Sequence, residues 1–273
     1  MSTTRPTELT ESNYYESRDY FSVSMLKQFL GAPGIKGCEA RALAEWRGDY
    51  QRPATDALLL GSYVDVGLTG TEAEQVRFKE DHPELFSTRG ATKGQLKSTF
   101  RKADDMVARA LQERDDGGVF MRFLEGDWQR IVTGEIHGHP FKGKLDVLGD
   151  GFICDLKTTE SITKKYYADG WYDFIHYWGY DLQGAVYQEL VYQTTGARLP
   201  FYIAAISKET PCDLGVYQVP QDELDQALET LTPEKLGRIQ ALIDGDAEPE
   251  RCGRCDWCRQ TKVIKAPEIL SVV

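Results

Sequence analysis

The stretch GKLDVLGDGFICDLKT at residues 143–158 decides the expected fold. Apolar and polar residues alternate on both sides of Asp150-Gly151, a dipeptide that is typical of a two-residue turn between antiparallel strands. The pattern therefore predicts a hairpin with strands at 141–149 and 152–158.

The register of this hairpin brings acidic residues together. With a two-residue turn, Asp146 faces Asp155 and Lys144 faces Lys157. Carboxylates directly opposed across two strands lie about 5 Å apart. At an effective dielectric constant of about 20 their repulsion is about 3 kcal/mol, so we expect something to compensate for it. A divalent cation would do so, and oxygen ligands suit Mg²⁺ or Mn²⁺.

Two interpretations of the hairpin stay open at this point. In the first, it is a solvated hairpin in which an aspartate pairs with a lysine. In the second, it is a hydrolytic metal site, in which Asp146, Asp155 and the backbone carbonyl of Leu156 hold Mg²⁺. Lys157 would then orient or deprotonate a water and stabilise charge on a phosphate. The metal would polarise the phosphoryl oxygen and acidify the water.

Strands and helices are expected on both sides of the hairpin. A strand is predicted at 128–136, a helix at 181–193 and two further strands at 201–206 and 216–219. This mixture predicts one α/β domain with a helical N-terminal part. The other predicted helices cover 23–30, 39–47 and 56–68 and a late segment that begins at Pro233. Ser22 is the predicted N-cap of the first of these helices, and Thr232 that of the last.

The charge of the chain gives a first test of nucleic-acid binding. Its 273 residues include 32 Lys and Arg against 43 Asp and Glu, a net charge of −11. Taken alone, this acidity argues against a nucleic-acid binder, whose footprint is usually basic, but it does not exclude a local basic patch. Residues 86–102 contain no acid, and Lys93, Lys97 and Arg101 are spaced by four. On a helix they would form one basic stripe.

The cysteines indicate a metal site. No apolar leader and no run of 18 apolar residues occurs, so we expect neither a secretory signal nor a membrane span. In the reducing compartment that this suggests, clustered cysteines more often bind metal than form disulfides. Cys252, Cys255 and Cys258 follow a Cys-x-x-Cys-x-x-Cys pattern. A tetrahedral site needs a fourth ligand, for which Cys38 and Cys212 are candidates.

The hairpin resembles the catalytic core of the PD-(D/E)XK nuclease superfamily. Asp146 matches the first aspartate of that core, and Asp155-Leu156-Lys157 matches its (D/E)XK triplet on the adjacent strand. Gln183-Gly184-Ala185-Val186-Tyr187, on the helix after the hairpin, resembles the Gln-x-x-x-Tyr motif of the RecB-like branch. This resemblance implies that Gln183 and Tyr187 contact the DNA backbone or a base.

Two further acids are candidates for the same site. The RecB-like branch carries a Gly-x-x-x-His helix upstream, whose histidine approaches the metal. Here Gly61-Ser62-Tyr63-Val64-Asp65 has an aspartate in that place, so Asp65 becomes a candidate Mg²⁺ ligand. Glu135, on the strand before the hairpin, is a candidate catalytic acid near the site.

Within this branch, residues 38–46 and the cysteine-rich tail are similar to phage RecE-like exonucleases. The resemblance implies a restriction-endonuclease-like core, a central mixed sheet flanked by helices. The expected organisation is a poorly ordered lead-in at 1–20 and a single nuclease domain at 21–273. That domain divides into a helical portion at about 21–126, a catalytic core at about 127–245 and a cysteine tail at 246–273.

The RecE-like resemblance also implies a function. It is that of a Mg²⁺-dependent exodeoxyribonuclease, encoded by a phage or prophage, that resects linear duplex ends in the bacterial cytoplasm and exposes single strands for recombination. Such enzymes usually work beside a single-strand annealing protein, and many form rings through which DNA threads. The alternatives are an endonuclease of the same fold, for defence or end processing, and a catalytically silent module that binds DNA or protein. The intact set of Asp146, Asp155 and Lys157 argues against the silent module.

The family comparison also bears on the cysteines. Some RecB-like nucleases hold an iron–sulfur cluster with one cysteine before the core and three after it. Cys38 with Cys252, Cys255 and Cys258 is similar to that set, which implies a 4Fe–4S cluster. The last cysteine here follows a gap of two residues, shorter than the gap common in those enzymes, so Zn²⁺ stays open as the alternative.

Overall fold

The centre of the structure, a computed structural model that describes residues 7–53, 55–264 and 266, is a mixed five-stranded sheet. The strands among these residues are β1 (Asp127–Ile136), β2 (His139–Gly149), β3 (Phe152–Thr159), β4 (Tyr166–Tyr167), β5 (Trp171–Tyr172), β6 (Phe201–Ser207) and β7 (Leu214–Gln218). The sheet order is β1-β2-β3-β6-β7, and β4 and β5 form a separate ribbon. Neighbours in the sheet are antiparallel except β3 and β6, which run parallel.

Helices lie on both sides of this sheet. Those described are α1 (Val23–Leu30), α2 (Glu39–Arg47), α3 (Asp56–Thr69), α4 (Glu72–Asp81), α5 (Ser98–Asp115), α6 (Phe174–Tyr177), α7 (Tyr180–Thr195), α8 (Gln221–Glu229), α9 (Pro233–Asp244) and α10 (Asp256–Gln260). Ser22 and Thr232 cap α1 and α9 as predicted, because each hydroxyl accepts a backbone N–H of the first turn at 3.4 Å. None of the helices among the described residues combines the length and the hydrophobicity that a membrane span requires.

Apolar side chains cover both faces of the sheet, because successive residues of a strand point to opposite sides. On β6, Phe201 and Ile203 belong to a core that includes residues of α1, α2, α7, α8 and α9. Ala204 and Ile206, on the other face of the strand, belong to a second core with residues of α3 and α5. The predicted α/β fold, a mixed sheet flanked by helices with a helical N-terminal part and a cysteine-rich tail, is confirmed.

The basic stripe expected on one helix is not formed. Residues 86–97 make a loop that includes one turn of 3-10 helix, and α5 begins at Ser98. Gly90 and Gly94 have φ angles of 69° and 79°, a conformation that glycine adopts without steric cost and that interrupts a right-handed helix. The three basic residues are therefore divided between this loop, with Lys93 and Lys97, and the first turn of α5, with Arg101.

Residues 7–20 pack against the sheet, whereas a poorly ordered lead-in is expected from the sequence. Tyr14 and Tyr20 are buried, and so is Lys142 of β2, whose ammonium group donates to the backbone carbonyl of Ser17 at 2.8 Å. The backbone N–H of Phe21 donates to a carbonyl at the start of β2 at 2.8 Å. Aromatic residues spaced through a polar segment supply this packing. Residues 1–6 of the expected lead-in, and 265 and 267–273 of the expected cysteine tail, lie outside the described residues.

Helix α7 connects β3 to β6 and lies close against the sheet at two glycines. A Cβ atom at Gly184 of α7 would come within 2.2 Å of the buried ring of Phe201. A Cβ atom at Gly143 of β2 would come within 2.8 Å of the ring of Tyr187. The absence of a side chain at both positions fixes how near α7 approaches β2 and β6, and so where its polar residues meet the strands.

We predict that Gly184→Ala destabilises the fold although alanine is the better helix former. The added methyl group cannot fit without moving a fully buried ring, which typically costs about 1–3 kcal/mol. Gly237 of α9 is the matched control, because nothing lies within 4 Å of its Cβ position. Gly237→Ala should raise the free energy of unfolding by about 0.5–1 kcal/mol. Urea unfolding of both variants measures the difference, and equal stabilisation by the two would contradict the packing described.

Candidate functional site

The candidate site lies where β2 and β3 separate. Among the described residues, the β2–β3 ladder consists of the pairs from Gly149–Phe152 to Val147–Cys154, in the predicted register. At the next position a side-chain hydrogen bond takes the place of a backbone one: Oδ2 of Asp146 accepts the backbone N–H of Leu156 at 3.0 Å.

The predicted pairing is therefore corrected beyond the hairpin turn. Beyond Cys154 the pairing of β3 with β2 ends, while its parallel pairing with β6, on the other edge of β3, continues to Thr159. The expected pairs Asp146–Asp155 and Lys144–Lys157 do not belong to the ladder described. Lys144 lies over the ring of Tyr15, with its Nζ 5.5 Å from the ring centre.

Asp155 is held by two side chains at the opening of this fork. It is 1% exposed. Its Oδ1 accepts a hydrogen bond from Nε2 of Gln183 at 2.9 Å, and its Oδ2 forms an ion pair with Nζ of Lys157. The ammonium group of Lys157 also lies over the ring of Tyr180, 4.8 Å from its centre.

The charges around Lys157 determine its protonation. Burial alone would lower the pKa of this amine, but the carboxylates of Asp155 and Asp146 outweigh burial and raise the pKa of Lys157 above its ordinary value. A protonated amine cannot take a proton from water. Of the two roles predicted for Lys157, the raised pKa favours orienting a water and stabilising negative charge.

Asp146 and Asp65 lie in a site where the acidic groups outnumber the basic ones. Burial, and next the charge of Asp155, raises the pKa of Asp146 well above its ordinary range and also raises the pKa of Asp65. Oδ1 of Asp65 is buried and has no hydrogen-bond partner among the described residues. Hard cations such as Mg²⁺ bind oxygen ligands and neutralise such a cluster. The residues present therefore fit a divalent cation held by Asp65, Asp146 and Asp155.

These groups open into a cavity of about 600 Å³ between α3 and the strands. Asp65, Asp146, Leu156 and Lys157 line one part of it. The aromatic residues Tyr166, Trp178 and Tyr180 line another part. The cavity thus combines acids, a lysine and aromatic rings, while Asp155 lies behind its wall.

Gln129 of β1 is a site residue that sequence analysis missed. Its Nε2 lies 3.4 Å from Oδ1 of Asp146. Its φ angle is 53°, which is unusual for a residue other than glycine and interrupts the β1–β2 ladder between Trp128–Val147 and Arg130–Leu145. Such strained backbone often occurs at functional sites.

A sequence signal for Gln129 does exist, in the turn between β1 and β2. His137 and Gly138 form a two-residue turn, and both have positive φ angles. The strands predicted at 128–136 and 141–149 leave four residues, 137–140, for this turn. The shorter turn puts Gln129 in register with Asp146.

Glu135 does not belong to the site. It is exposed and pairs with Pro140, six residues from Asp146 along β2, which corresponds to about 20 Å. Its backbone N–H and C=O are bonded to the side chain of Gln193 at 2.9 and 2.7 Å. The prediction failed because being on the neighbouring strand says nothing about position along it.

Gln183 and Tyr187 face the interior rather than the open cavity. Besides its bond to Asp155, Nε2 of Gln183 lies 3.2 Å from the hydroxyl of Tyr187. Burial raises the pKa of Tyr187 well above its ordinary value, and its ring packs on Gly143 of β2. Gln183 thus contacts Asp155 directly, and Tyr187 contacts Gln183. A direct contact of either residue with DNA stays a prediction.

The cysteines form a second centre, away from the carboxylates. The Sγ atoms of Cys38, Cys252, Cys255 and Cys258 all lie within 4.8 Å of one another, so Cys38 joins the tail trio as expected. Cys212, the other candidate, is buried in the core with α3 and α5.

The pKa values of the thiols differ at this centre: burial raises the pKa of Cys38 and raises that of Cys255 to about 12, whereas that of Cys252 is lowered. Burial opposes ionisation of Cys252, but backbone N–H groups of Arg254 and Cys255 outweigh it and lower the pKa of Cys252 to about 6. The four residues thus offer sulfur ligands in one place, and thiolate is the form that binds metal.

Two aspartates and a lysine at the fork of two strands, with a glutamine from the crossover helix, define a nuclease of the PD-(D/E)XK type. The model of the family DUF3799, described as a PDDEXK-like domain of unknown function, matches residues 22–261, and the chain belongs to this family.

Among solved structures, the chain is similar to a "Putative exonuclease" from Eubacterium rectale, with 39% identity and a TM-score of 0.87 over 96% of this chain and 97% of that chain. A crystal structure of SSO0001 aligns with a TM-score of 0.28 and 14% identity over 75% of this chain and 91% of that one, which is too loose for a comparison of sites. The comparison with curated proteins gives no match.

We predict that Gln183→Leu lowers turnover on duplex DNA without weakening DNA binding. The variant deprives a buried carboxylate of its amide donor, and hydrogen bonds to charged groups contribute about 1.5–3 kcal/mol, equivalent to roughly a 10- to 100-fold loss. Turnover in Mg²⁺ and DNA affinity in Ca²⁺ are measured separately. Gln193→Leu, on the same helix but at the distant end of β2, is the control and should change neither. A loss of affinity with unchanged turnover of bound DNA would show instead that Gln183 contacts DNA.

Proposed function

We propose that this protein is a Mg²⁺-dependent exodeoxyribonuclease that degrades linear duplex DNA from its ends and exposes single strands for recombination. The observation that carries the proposal is that Asp65, Asp146 and Lys157 line one cavity and that the buried Asp155 is paired with Lys157. Burial and the charge of Asp155 raise the pKa of Asp146 and of Asp65, and a bound cation would offset this. The similarity to the Eubacterium rectale protein supports exonuclease action over other activities of the fold.

The residues of the site divide the work of phosphodiester hydrolysis. Asp65, Asp146, Asp155 and the carbonyl of Leu156 would hold the cation. When bound, Mg²⁺ polarises the phosphoryl oxygen and acidifies a water. Gln183 fixes the carboxylate of Asp155, and Gln129 reaches that of Asp146.

Lys157 and the aromatic wall act on the substrate. The amino group of Lys157 lies at the cavity wall, where it would orient the attacking water and stabilise the charge that develops on the phosphate. Trp178 would offer a ring on which an unpaired base can stack, whereas the ring of Tyr180 is already in contact with Lys157 and Lys27, whose Nζ atoms lie 4.8 and 5.2 Å from its centre. A frayed strand end fits such a wall better than an intact base pair does, and this favours attack at DNA ends.

The biological setting of the proposal rests on the RecE-like resemblance alone. On that basis the protein would act in the bacterial cytoplasm for a phage or prophage, beside a single-strand annealing protein. A ring of several copies would thread the duplex and keep the enzyme on it. The acidic surface elsewhere would repel DNA from other faces of the protein.

We expect digestion of linear but not covalently closed duplex DNA in Mg²⁺, with activity reduced at least about 100-fold by Lys157→Ala because a charge-stabilising group is removed. Lys235→Ala, an exposed lysine on α9, is the matched control and should retain activity. Circular dichroism verifies that each variant is folded.

Other outcomes of this assay would overturn the proposal. Cutting of both substrates would identify an endonuclease of the same fold, for defence or end processing. Folded, metal-loaded protein that cuts neither substrate would identify a silent module that binds DNA or protein. Loss of activity in both lysine variants would remove the special role of Lys157.

We further propose that Lys93, Lys97 and Arg101 contact DNA phosphates from the loop before α5 and its first turn. Lys93 and Arg101 are exposed, and Arg101 also donates to the carbonyl of Leu96 at 2.7 Å, which holds it toward the loop.

Reversing two of these charges, as Lys93→Glu with Lys97→Glu, should weaken binding and reduce the slope of log affinity against log salt by about 1–2, since each phosphate contact contributes about 0.9. Fluorescence anisotropy in Ca²⁺ at several salt concentrations measures this, with Lys235→Glu as the control. An unchanged slope would mean that these residues form only a solvated surface.

A further inference from the structure

The distances between the four cysteines restrict what they can hold. Sγ of Cys38 lies 3.6 Å from that of Cys258 and 3.8 Å from that of Cys255, and Sγ of Cys252 lies 3.9 Å from that of Cys258. Four thiolates around a single Zn²⁺, with bonds of about 2.3 Å, form a tetrahedron whose edge is about 3.8 Å. These three separations agree with that edge, and the other three are at most 4.8 Å.

A 4Fe–4S cluster does not fit the same space. In such a cluster each thiolate binds a different iron, so the sulfur atoms lie on the outside of a four-iron body. Their separations must then exceed those around one ion, whereas all four Sγ atoms lie within 4.8 Å of one another. The residues therefore disagree with the cluster that the family resemblance implies.

We propose that Cys38, Cys252, Cys255 and Cys258 bind one Zn²⁺ in a closed tetrahedral site. No ligand position stays open, which is the property of structural rather than catalytic zinc. Gly253, with a φ angle of 70°, lets the chain turn between the first two tail ligands. Backbone N–H groups of Cys255 and Cys258 donate to Sγ of Cys252 and Cys255 at 3.3 and 3.5 Å, which orients the ligands and stabilises their charge.

This zinc would join the tail to the wall of the cavity. Cys38 is the residue before α2, and Cys258 lies in α10, so the ion connects the two helices. Helix α2 packs on α1. Lys27 of α1 donates from Nζ to the carbonyl of Trp178 at 2.9 Å, and Trp178 lines the cavity. The zinc is thus structural, and this role does not depend on the proposed nuclease activity.

Metal analysis of protein purified without oxygen from cells supplied with both iron and zinc tests the proposal. We expect one Zn²⁺ per chain by mass spectrometry, no acid-labile sulfide and no visible absorption. Refolding with Co²⁺ should give the visible bands of a tetrahedral tetrathiolate ion. Four irons with four sulfides per chain would overturn the proposal, and so would one iron without sulfide or folded protein without metal.

Substitution of one ligand tests the site independently. Cys252 is exposed, so Cys252→Ser removes a ligand with little change in packing. Its zinc content should fall at least tenfold and its melting temperature should fall with it. Cys212→Ser, at a buried cysteine in another core, is the control and should keep its zinc whatever its stability. Full zinc content in Cys252→Ser would overturn the assignment even if the wild type holds zinc.

Discussion

The structure depends on the place where β2 and β3 stop pairing. A hairpin that continued would bury the backbone of both strands in a ladder and point their side chains only above and below the sheet. Because the carboxylate of Asp146 accepts the N–H of Leu156, this backbone N–H keeps a hydrogen bond where the strands separate. That exchange opens a fork between two interior strands of the sheet, and the acids and Lys157 meet at its opening.

Helix α7 supports the fork from one face of the sheet. Its glycine at position 184 sets the distance to β6, and its polar side chains at 183 and 187 then reach β3 and β2. The same helix therefore contributes apolar residues to the core and the amide that holds Asp155. The Gln-x-x-x-Tyr pattern implies contact with DNA, which stays a prediction; the hydrogen bonds described here hold a buried carboxylate in position.

Local chemistry explains which predictions from sequence are confirmed. Asp150-Gly151 has a strong turn preference of its own, so the hairpin and its first pairs could be predicted. The starts of α1 and α9 could be predicted as well, because Ser22 and Thr232 cap them. Properties set by distant contacts could not. The φ angle of Gln129 depends on two strands at once, and the partners of Gln183 depend on how α7 lies on the sheet. The loop at 86–97 was not predicted, because the regular spacing of the basic residues suggests a helix, whereas Gly90 and Gly94 interrupt one.

The link between Cys38 and Cys258 spans 220 residues of chain. A protein made from its N-terminus outward therefore completes every strand of the sheet before the last sulfur ligand leaves the ribosome. Until then no metal joins α2 to α10. The cavity wall at Trp178, which α2 supports through α1, is held only by packing and by the hydrogen bond from Lys27. The order of synthesis thus makes the metal centre the final closure of the fold, so a truncated chain that already carries every carboxylate and Lys157 would still lack the anchor behind them.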